Sequence, residues 1–166
     1  SFNLASLWGL PVVFLIENNK YGMGTSVARA ASGGGLYKRG EGFGIPGKQV
    51  DGMDVVAVMN EGIEAAAYAR ENGPVILEME TYRYRGHSMS DPAKYRSREE
   101  VSKMREEHDP IEGLKARALA AGLLSEEGMK AIDQDVRAVV AEAAEFAQQS
   151  PEPDPAELYT DILLAA

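Results

Sequence analysis

Two short apolar runs constrain the fold more than any other feature of the sequence. Residues 11–16 (PVVFLI) and 75–81 (VILEMET) are too short for buried helices, rich in β-branched side chains, and bounded by Gly, Pro or Asn. A short run that is apolar on both faces suits a strand covered by helices on both sides. Between them, Asp54 stands where it can cap a helix running to about Glu71, with Val55, Met59, Ile63 and Ala66 on one face. Asn72-Gly73-Pro74 then stops that helix. Strand, loop, helix, strand is the βαβ arrangement, so the sequence predicts an α/β fold with a mostly parallel sheet flanked by helices. The intervening segment 22–48 contains GMGTS, SGGG and GEGFGIPG and reads as one long loop, a length that in a compact domain is usually functional or unstructured.

After residue 96 the pattern turns helical: SREEVSKMREE, then PIEGLKARALAAG, then SEEGMKAIDQDVRAVVAEAAEFAQQ. Ser97 followed by Glu100 has capping-box spacing, and Ser125 followed by Gly128 marks a second start. PEPDP breaks the pattern before a last short amphipathic piece, LYTDILLAA. The first eight residues, SFNLASLW, have helical spacing but no capping residue before them. This reads as a chain that begins inside a helix, hence as an N-terminally truncated sequence. At 166 residues the chain can bury one substantial core.

Charge narrows the function classes. The net charge is −9, yet residues 81–105 hold seven Lys or Arg against three Asp or Glu, while residues 106–166 are strongly acidic. An acidic chain is poorly suited to non-specific nucleic-acid binding, which depends on cations neutralising phosphates. The basic island suits a small anion or an acidic partner surface, and equally a solvated helix start. No apolar run reaches the roughly 20 residues of a bilayer span. With no cysteine there are no disulfides and no thiolate metal sites. Neither a Walker-type phosphate loop, nor a dinucleotide fingerprint, nor a G-x-S-x-G elbow occurs.

Two stretches at the expected carboxyl ends of the strands, where parallel α/β sheets bind ligands, carry unusual chemistry. In FLIENNKYGMGTS (14–26) the Asn19 carboxamide and the Tyr21 carbonyl, beside glycines, are hard neutral oxygen donors suited to a cation that also binds a diphosphate. Taken alone, an Asn pair at a strand end is more often an ordinary turn. In TYRYRGHSMSDP (81–92), Arg83, Arg85 and His87 surround Gly86. Arginine forks match phosphate oxygens, and a histidine transfers protons near neutral pH. His108, in EEHDP, lacks such neighbours and reads as surface.

Taken together and in order, ENNKYGMGTS, YKRG, IPGKQVDGMD and TYRYRGHSMSDPAKYRSREE are similar to the α subunits of thiamine-diphosphate-dependent 2-oxoacid dehydrogenases, and to the pyruvate type above all. The resemblance implies a thiamine-diphosphate-binding fold, with residues 1–96 a partial cofactor-binding α/β region and residues 97–166 a helical C-terminal part of the same domain. It implies thiamine diphosphate and Mg2+ as cofactors. Asn19 and Tyr21 match the metal ligands, His87 the active-site histidine near the diphosphate, and Arg83 a residue of the same cofactor-binding loop. Serines matching Ser26 and Ser88 are phosphorylated in animal relatives to switch the enzyme off. Implied partners are a β subunit, a lipoyl-bearing acyltransferase and pyruvate, with neither nucleic acid nor membrane, in bacterial cytoplasm or the mitochondrial matrix. One departure matters: only 18 residues precede Asn19, and the Gly-Asp-Gly that opens the family's metal motif does not occur. The isolated chain is therefore expected to be inactive. The rivals are an acetoin or branched-chain 2-oxoacid dehydrogenase, and a fragment acting only as a subunit-interaction module.

Overall fold

The computed structural model of the chain describes residues 1–160. Its framework is a three-stranded parallel sheet in the order β1–β5–β4, made of β1 (Val13–Asn18), β4 (Gly47–Asp51) and β5 (Val75–Glu80). Val13 lies opposite Val75 and Asn18 opposite Glu80, while Gly47 faces Ile76 and Asp51 faces Glu80. All three carboxyl ends therefore stop at one level, which sets the edge from which the site is built. The expected α/β fold, parallel sheet and flanking helices are all present.

Covered on both sides, β5 is buried from Val75 to Met79. Each such aliphatic side chain contributes roughly 1.5–3 kcal/mol relative to exposure. The strand β1 is an edge and is only partly covered, with Leu15 60% exposed. The helix α3 (Val55–Asn72) starts where expected, because the Asp54 carboxylate accepts from the Val56 and Ala57 amides at 2.9 and 3.1 Å. Arg117 forks onto the same carboxylate at 2.8 and 3.0 Å and, as the largest influence, holds Asp54 down to about 2. The packed face of α3 is not the expected one. Ala65 and Ala69 press against Val50, Val75, Leu77 and Met79, with Ala57 and Val58 beside them, whereas Val55, Met59 and Ile63 are 42, 56 and 63% exposed. Small side chains let the helix axis approach the sheet closely, so here size ranks opposite to burial.

The segment read as one loop is also more structured than expected. It contains a two-residue-per-strand hairpin, β2 (Tyr21–Gly22) and β3 (Thr25–Ser26), then a single helical turn α2 (Val27–Ala30), a 3-10 helix (Leu36–Phe43) and the strand β4. Near the amino end, α1 (Phe2–Leu7) has Ser1 at its cap position without a side-chain cap bond. Packing holds it instead, with the Phe2 ring edge-on to Phe14 at 4.6 Å and Ser6 donating to the Phe43 carbonyl at 2.7 Å.

The chain forms two compact units, residues 1–117 and residues 118 onward. In the first, α4 (Arg98–His108) begins at Ser97, whose hydroxyl accepts from the Glu100 amide at 3.0 Å. The reciprocal half of the capping box is missing, because the Glu100 carboxylate accepts from the Tyr82 hydroxyl at 2.7 Å. Next, α5 (Pro110–Ala120) is capped by Asp109. In the second unit, α6 (Glu126–Gln149) starts at Ser125 as expected, with the Gly128 amide donating to its hydroxyl at 3.0 Å. A 3-10 turn follows at Pro155–Tyr159. Of the final amphipathic piece, residues 161–166 lie outside the described residues. No described helix is long and apolar enough to cross a membrane.

Candidate functional site

The site begins where β1 runs out. Asn18 is buried and inward, its amide donating to Glu78 Oε1 at 2.7 Å, while the other Glu78 oxygen accepts from the Tyr37 amide at 3.0 Å. Glu78 is 1% exposed in the middle of the central strand, so these donors are what make its burial tolerable. Asn19, the next residue, turns outward and accepts from the Tyr21 amide at 3.2 Å. Between them Lys20 has φ 71°, a left-handed conformation uncommon for a residue with a side chain, and it pairs with Glu80.

The hairpin ladder fixes where the Tyr21 carbonyl points. Val27 donates to the Lys20 carbonyl at 2.9 Å, so Lys20–Val27 is a bonded pair, and alternation makes the adjacent Tyr21–Ser26 pair non-hydrogen-bonded. The amide and carbonyl of Tyr21 then both face outward, on the edge where Asn19 Oδ1 already meets that amide. Asn19 and Tyr21 thus offer two neutral oxygens side by side, a donor set that fits a hard divalent cation keeping further ligands of its own. Among the described residues no three His, Asp or Glu side chains gather to hold a metal by themselves.

The second stretch leaves β5 and folds back toward this hairpin. Arg83 is the physical link: its Nη2 donates to the Met23 carbonyl at 2.8 Å and to the Tyr95 hydroxyl at 2.7 Å, and its Nε donates to the Arg85 carbonyl at 3.2 Å. Its Nη1 carries the donors that these bonds leave over. His87 is exposed and held through its backbone, its amide donating to Asp91 Oδ2 at 2.7 Å. The same oxygen accepts from the Tyr95 hydroxyl at 2.7 Å, and Asp91 Oδ1 accepts from the Ala93 amide at 2.8 Å. These bonds, that from Tyr95 first, hold the Asp91 carboxyl down to about 2. Gly86 is needed here for closeness rather than for an unusual φ, since a Cβ would stand 2.5 Å from the Asp91 carbonyl oxygen. Gly24 is needed likewise, a Cβ there falling 2.9 Å from the Tyr95 ring. Arg83 joins the two stretches; no hydrogen bond joins His87 to Asn19.

Several residues of this assembly were not singled out by the sequence. Asn18, Glu78, Asp91, Tyr95 and Arg96 set the positions of those that were. A Glu inside an otherwise apolar central strand was the available signal for Glu78, and Asp-Pro after a Ser-rich turn was the signal for Asp91. An open cleft of about 610 Å3 is bordered by Asn18, Lys20, Tyr21, Thr81 and Tyr82. Thr81 Oγ1 is buried there without a partner. Burial, then the bond to Glu100, pushes the Tyr82 hydroxyl up to about 12, so it stays a donor at any physiological pH. His108 is exposed at the end of α4, as expected. The Ser88 hydroxyl lies 3.1 Å from that of Ser90, and Ser26 precedes α2 with no side-chain cap bond.

A family model described as "Dehydrogenase E1 component" matches residues 1–156. The chain is 61% identical over 165 residues to the pyruvate dehydrogenase E1 component subunit alpha of Rhizobium meliloti (strain 1021), an alignment covering 99% of this chain and 47% of that protein. It is 54% identical over 165 residues to the subunit of the same name from Zymomonas mobilis, covering 99% and 46%. To the mitochondrial subunit of Solanum tuberosum it is 49% identical over 163 residues, covering 98% and 41%. The chain spans about half the length of the curated relatives it matches.

Proposed function

From the premise that the chain belongs to the dehydrogenase E1 component family, we propose that it carries one side of a thiamine diphosphate–Mg2+ site in the α subunit of an enzyme that oxidatively decarboxylates pyruvate and passes the acetyl group to a lipoyl domain. The observation that carries this reading is the bond from the Tyr21 amide to Asn19 Oδ1, on the hairpin edge that also bears the Tyr21 carbonyl, with Arg83 joining that hairpin to the loop that bears His87. Thiamine diphosphate, when bound, supplies the stabilised carbanion chemistry that side chains lack.

The chain's own groups do the rest. Asn19 and Tyr21 give neutral oxygens to the metal, so the charged ligand must come from outside this sequence, which contains no Gly-Asp-Gly. His87 presents its imidazole from a loop fixed by Asp91, where it can hold or deliver a proton beside anionic oxygens. Arg83 keeps that loop against the hairpin and retains Nη1 for an anion. Thus the site is half a cage, and the chain alone is expected to show no turnover. A β subunit and a lipoyl-bearing acyltransferase are the implied partners, and bacterial cytoplasm or the mitochondrial matrix is the compartment this reading implies, one relative being bacterial and another named as mitochondrial.

The test is turnover by the full-length α chain assembled with its β subunit, offered pyruvate, 2-oxoisovalerate and acetoin separately. Pyruvate is expected to be consumed fastest, with dependence on both thiamine diphosphate and Mg2+. Preference for either rival substrate would move the enzyme to the branched-chain or acetoin type. No turnover of any of them by a folded assembly would leave only a subunit-interaction role.

A further inference from the structure

The turn that presents Asn19 and the Tyr21 carbonyl rests on a polar pair beneath it. Asn18 and Glu78 are both buried. Asn18 ends β1, and its carbonyl accepts from the Thr81 amide at 2.9 Å as the last rung toward the chain that leaves β5. Its carboxamide bonds in two directions. Nδ2 donates to Glu78 Oε1 at 2.7 Å, and Oδ1 accepts from the Lys20 amide at 3.1 Å. The Asn19 carboxamide repeats the second of these bonds one residue on, accepting from the Tyr21 amide at 3.2 Å. Two overlapping turns of this side-chain-to-backbone kind hold the chain between them, and Lys20 takes its left-handed φ of 71° inside the pair. From there the Lys20 carbonyl accepts from the Val27 amide at 2.9 Å, so the hairpin starts from the same residue.

We propose that Glu78 is a positioning residue for the metal edge: acting through Asn18, it fixes the turn at Lys20 and so the placing of Asn19 Oδ1 beside the Tyr21 carbonyl. The physical basis is the asymmetry of a carboxylate facing a carboxamide. A carboxylate only accepts, so at 2.7 Å it admits the NH2 end of the Asn18 side chain and repels the oxygen end. Oδ1 is thereby left aimed at the Lys20 amide. Turned over, the same carboxamide would set oxygen against oxygen below and NH2 against N–H above. Glu78 is not free to swing away, because its other oxygen accepts from the Tyr37 amide at 3.0 Å. A left-handed residue with a side chain persists only where its surroundings over-determine it, and here the bond from the Lys20 amide to Asn18 is part of what does so. The inference rests on the cofactor reading above for its consequence at the metal, and not for the order of the turn itself.

Exchanging the two groups tests this, in the full-length chain assembled with its β subunit. Asn18→Asp alone sets acceptor against acceptor, and without cofactor the Lys20 and Tyr21 amides are expected to exchange about tenfold faster. Glu78→Gln alone leaves one oxygen for two donors and should loosen the turn less. The double variant pairs every group again: the new amide donates its NH2 to the new carboxylate and accepts from Tyr37 with its oxygen, and the second carboxylate oxygen accepts from Lys20. Net charge is unchanged, and exchange of the two amides should return to within about threefold of wild type. Calorimetric affinity for thiamine diphosphate should follow, about tenfold weaker in Asn18→Asp, most so at low Mg2+, and restored in the double variant. A double variant no better than Asn18→Asp overturns the proposal. So does an Asn18→Asp protein that loses thermal stability while its turn exchange and the Mg2+ dependence of its affinity stay those of wild type. If Asn18→Asp does not fold, the double variant must fold and bind, and a double variant that also fails overturns the proposal. A wild-type assembly that binds no thiamine diphosphate would refute the cofactor reading, while the exchange of the Lys20 and Tyr21 amides across the variants would still decide the turn.

Discussion

Removing the Glu78 carboxylate tests the framework on which the site is hung. The side chain is 1% exposed and accepts two bonds, from the buried Asn18 amide at 2.7 Å and from the Tyr37 backbone at 3.0 Å. Glu78→Ala strands both donors, and an unsatisfied buried donor costs about 1–3 kcal/mol, so the loss should total about 3 kcal/mol before any cavity is counted. Glu78→Gln keeps one acceptor oxygen but turns an NH2 toward the second donor, so it should lose about half as much. In the full-length assembly, exchange of the β5 amides through the largest opening should therefore quicken about a hundredfold in Glu78→Ala and about tenfold in Glu78→Gln. Equal damage by the two variants would refute the counting of bonds. A Glu78→Ala protein indistinguishable from wild type would refute the claim that this carboxylate ties β1 and the 3-10 segment to β5.

Other consequences are as direct. Asp91→Asn leaves one accepting oxygen where three bonds are now received, so the loop 82–95 should exchange faster and proteases should cut it sooner. The pH dependence has a definite sign. Because the folded Asp91 is held down to about 2, its contribution is complete above the ordinary carboxylate value near 4 and is lost as pH falls from there toward 2. Acid loosening of the loop should thus be present in wild type and blunted in Asp91→Asn. For Tyr82 the sign reverses: its contribution is complete below the ordinary tyrosine value near 10 and is lost as pH rises through about 12, which ultraviolet phenolate absorbance can follow. Gly86→Ala places a methyl 2.5 Å from the Asp91 carbonyl oxygen, and should abolish pyruvate turnover in the assembled enzyme while leaving the circular dichroism spectrum unchanged.

The parts of the fold that were legible in the sequence are those decided locally. The β1 and β5 runs, the Asp54 and Ser125 caps and the Ser97 start all follow from side chains within a few residues of where they act. Strand β4 was not legible, because GKQVD has a single apolar residue and gains its strand character from pairing with β5, far along the chain. The buried face of α3 was misjudged because alanines close to the sheet are buried more deeply than the valine, methionine and isoleucine on the adjoining face. At the site, residues whose chemistry is overt, Asn19, Arg83 and His87, were visible as donors and acceptors. Arg96 and Glu78 were not, because a charged residue reads as solvated until its partners are known, and those partners are backbone carbonyls, rings and amides from elsewhere in the fold.

Calorimetric titration of thiamine diphosphate with Mg2+ into the full-length α chain assembled with its β subunit, comparing wild type with Asn19→Ala, addresses the proposed metal edge most directly. Loss of one of the two neighbouring oxygen donors should weaken cofactor affinity about tenfold or more, and the deficit should shrink as Mg2+ is raised. Equal affinity in the two proteins at every Mg2+ concentration would mean that the hairpin edge is a turn and nothing more.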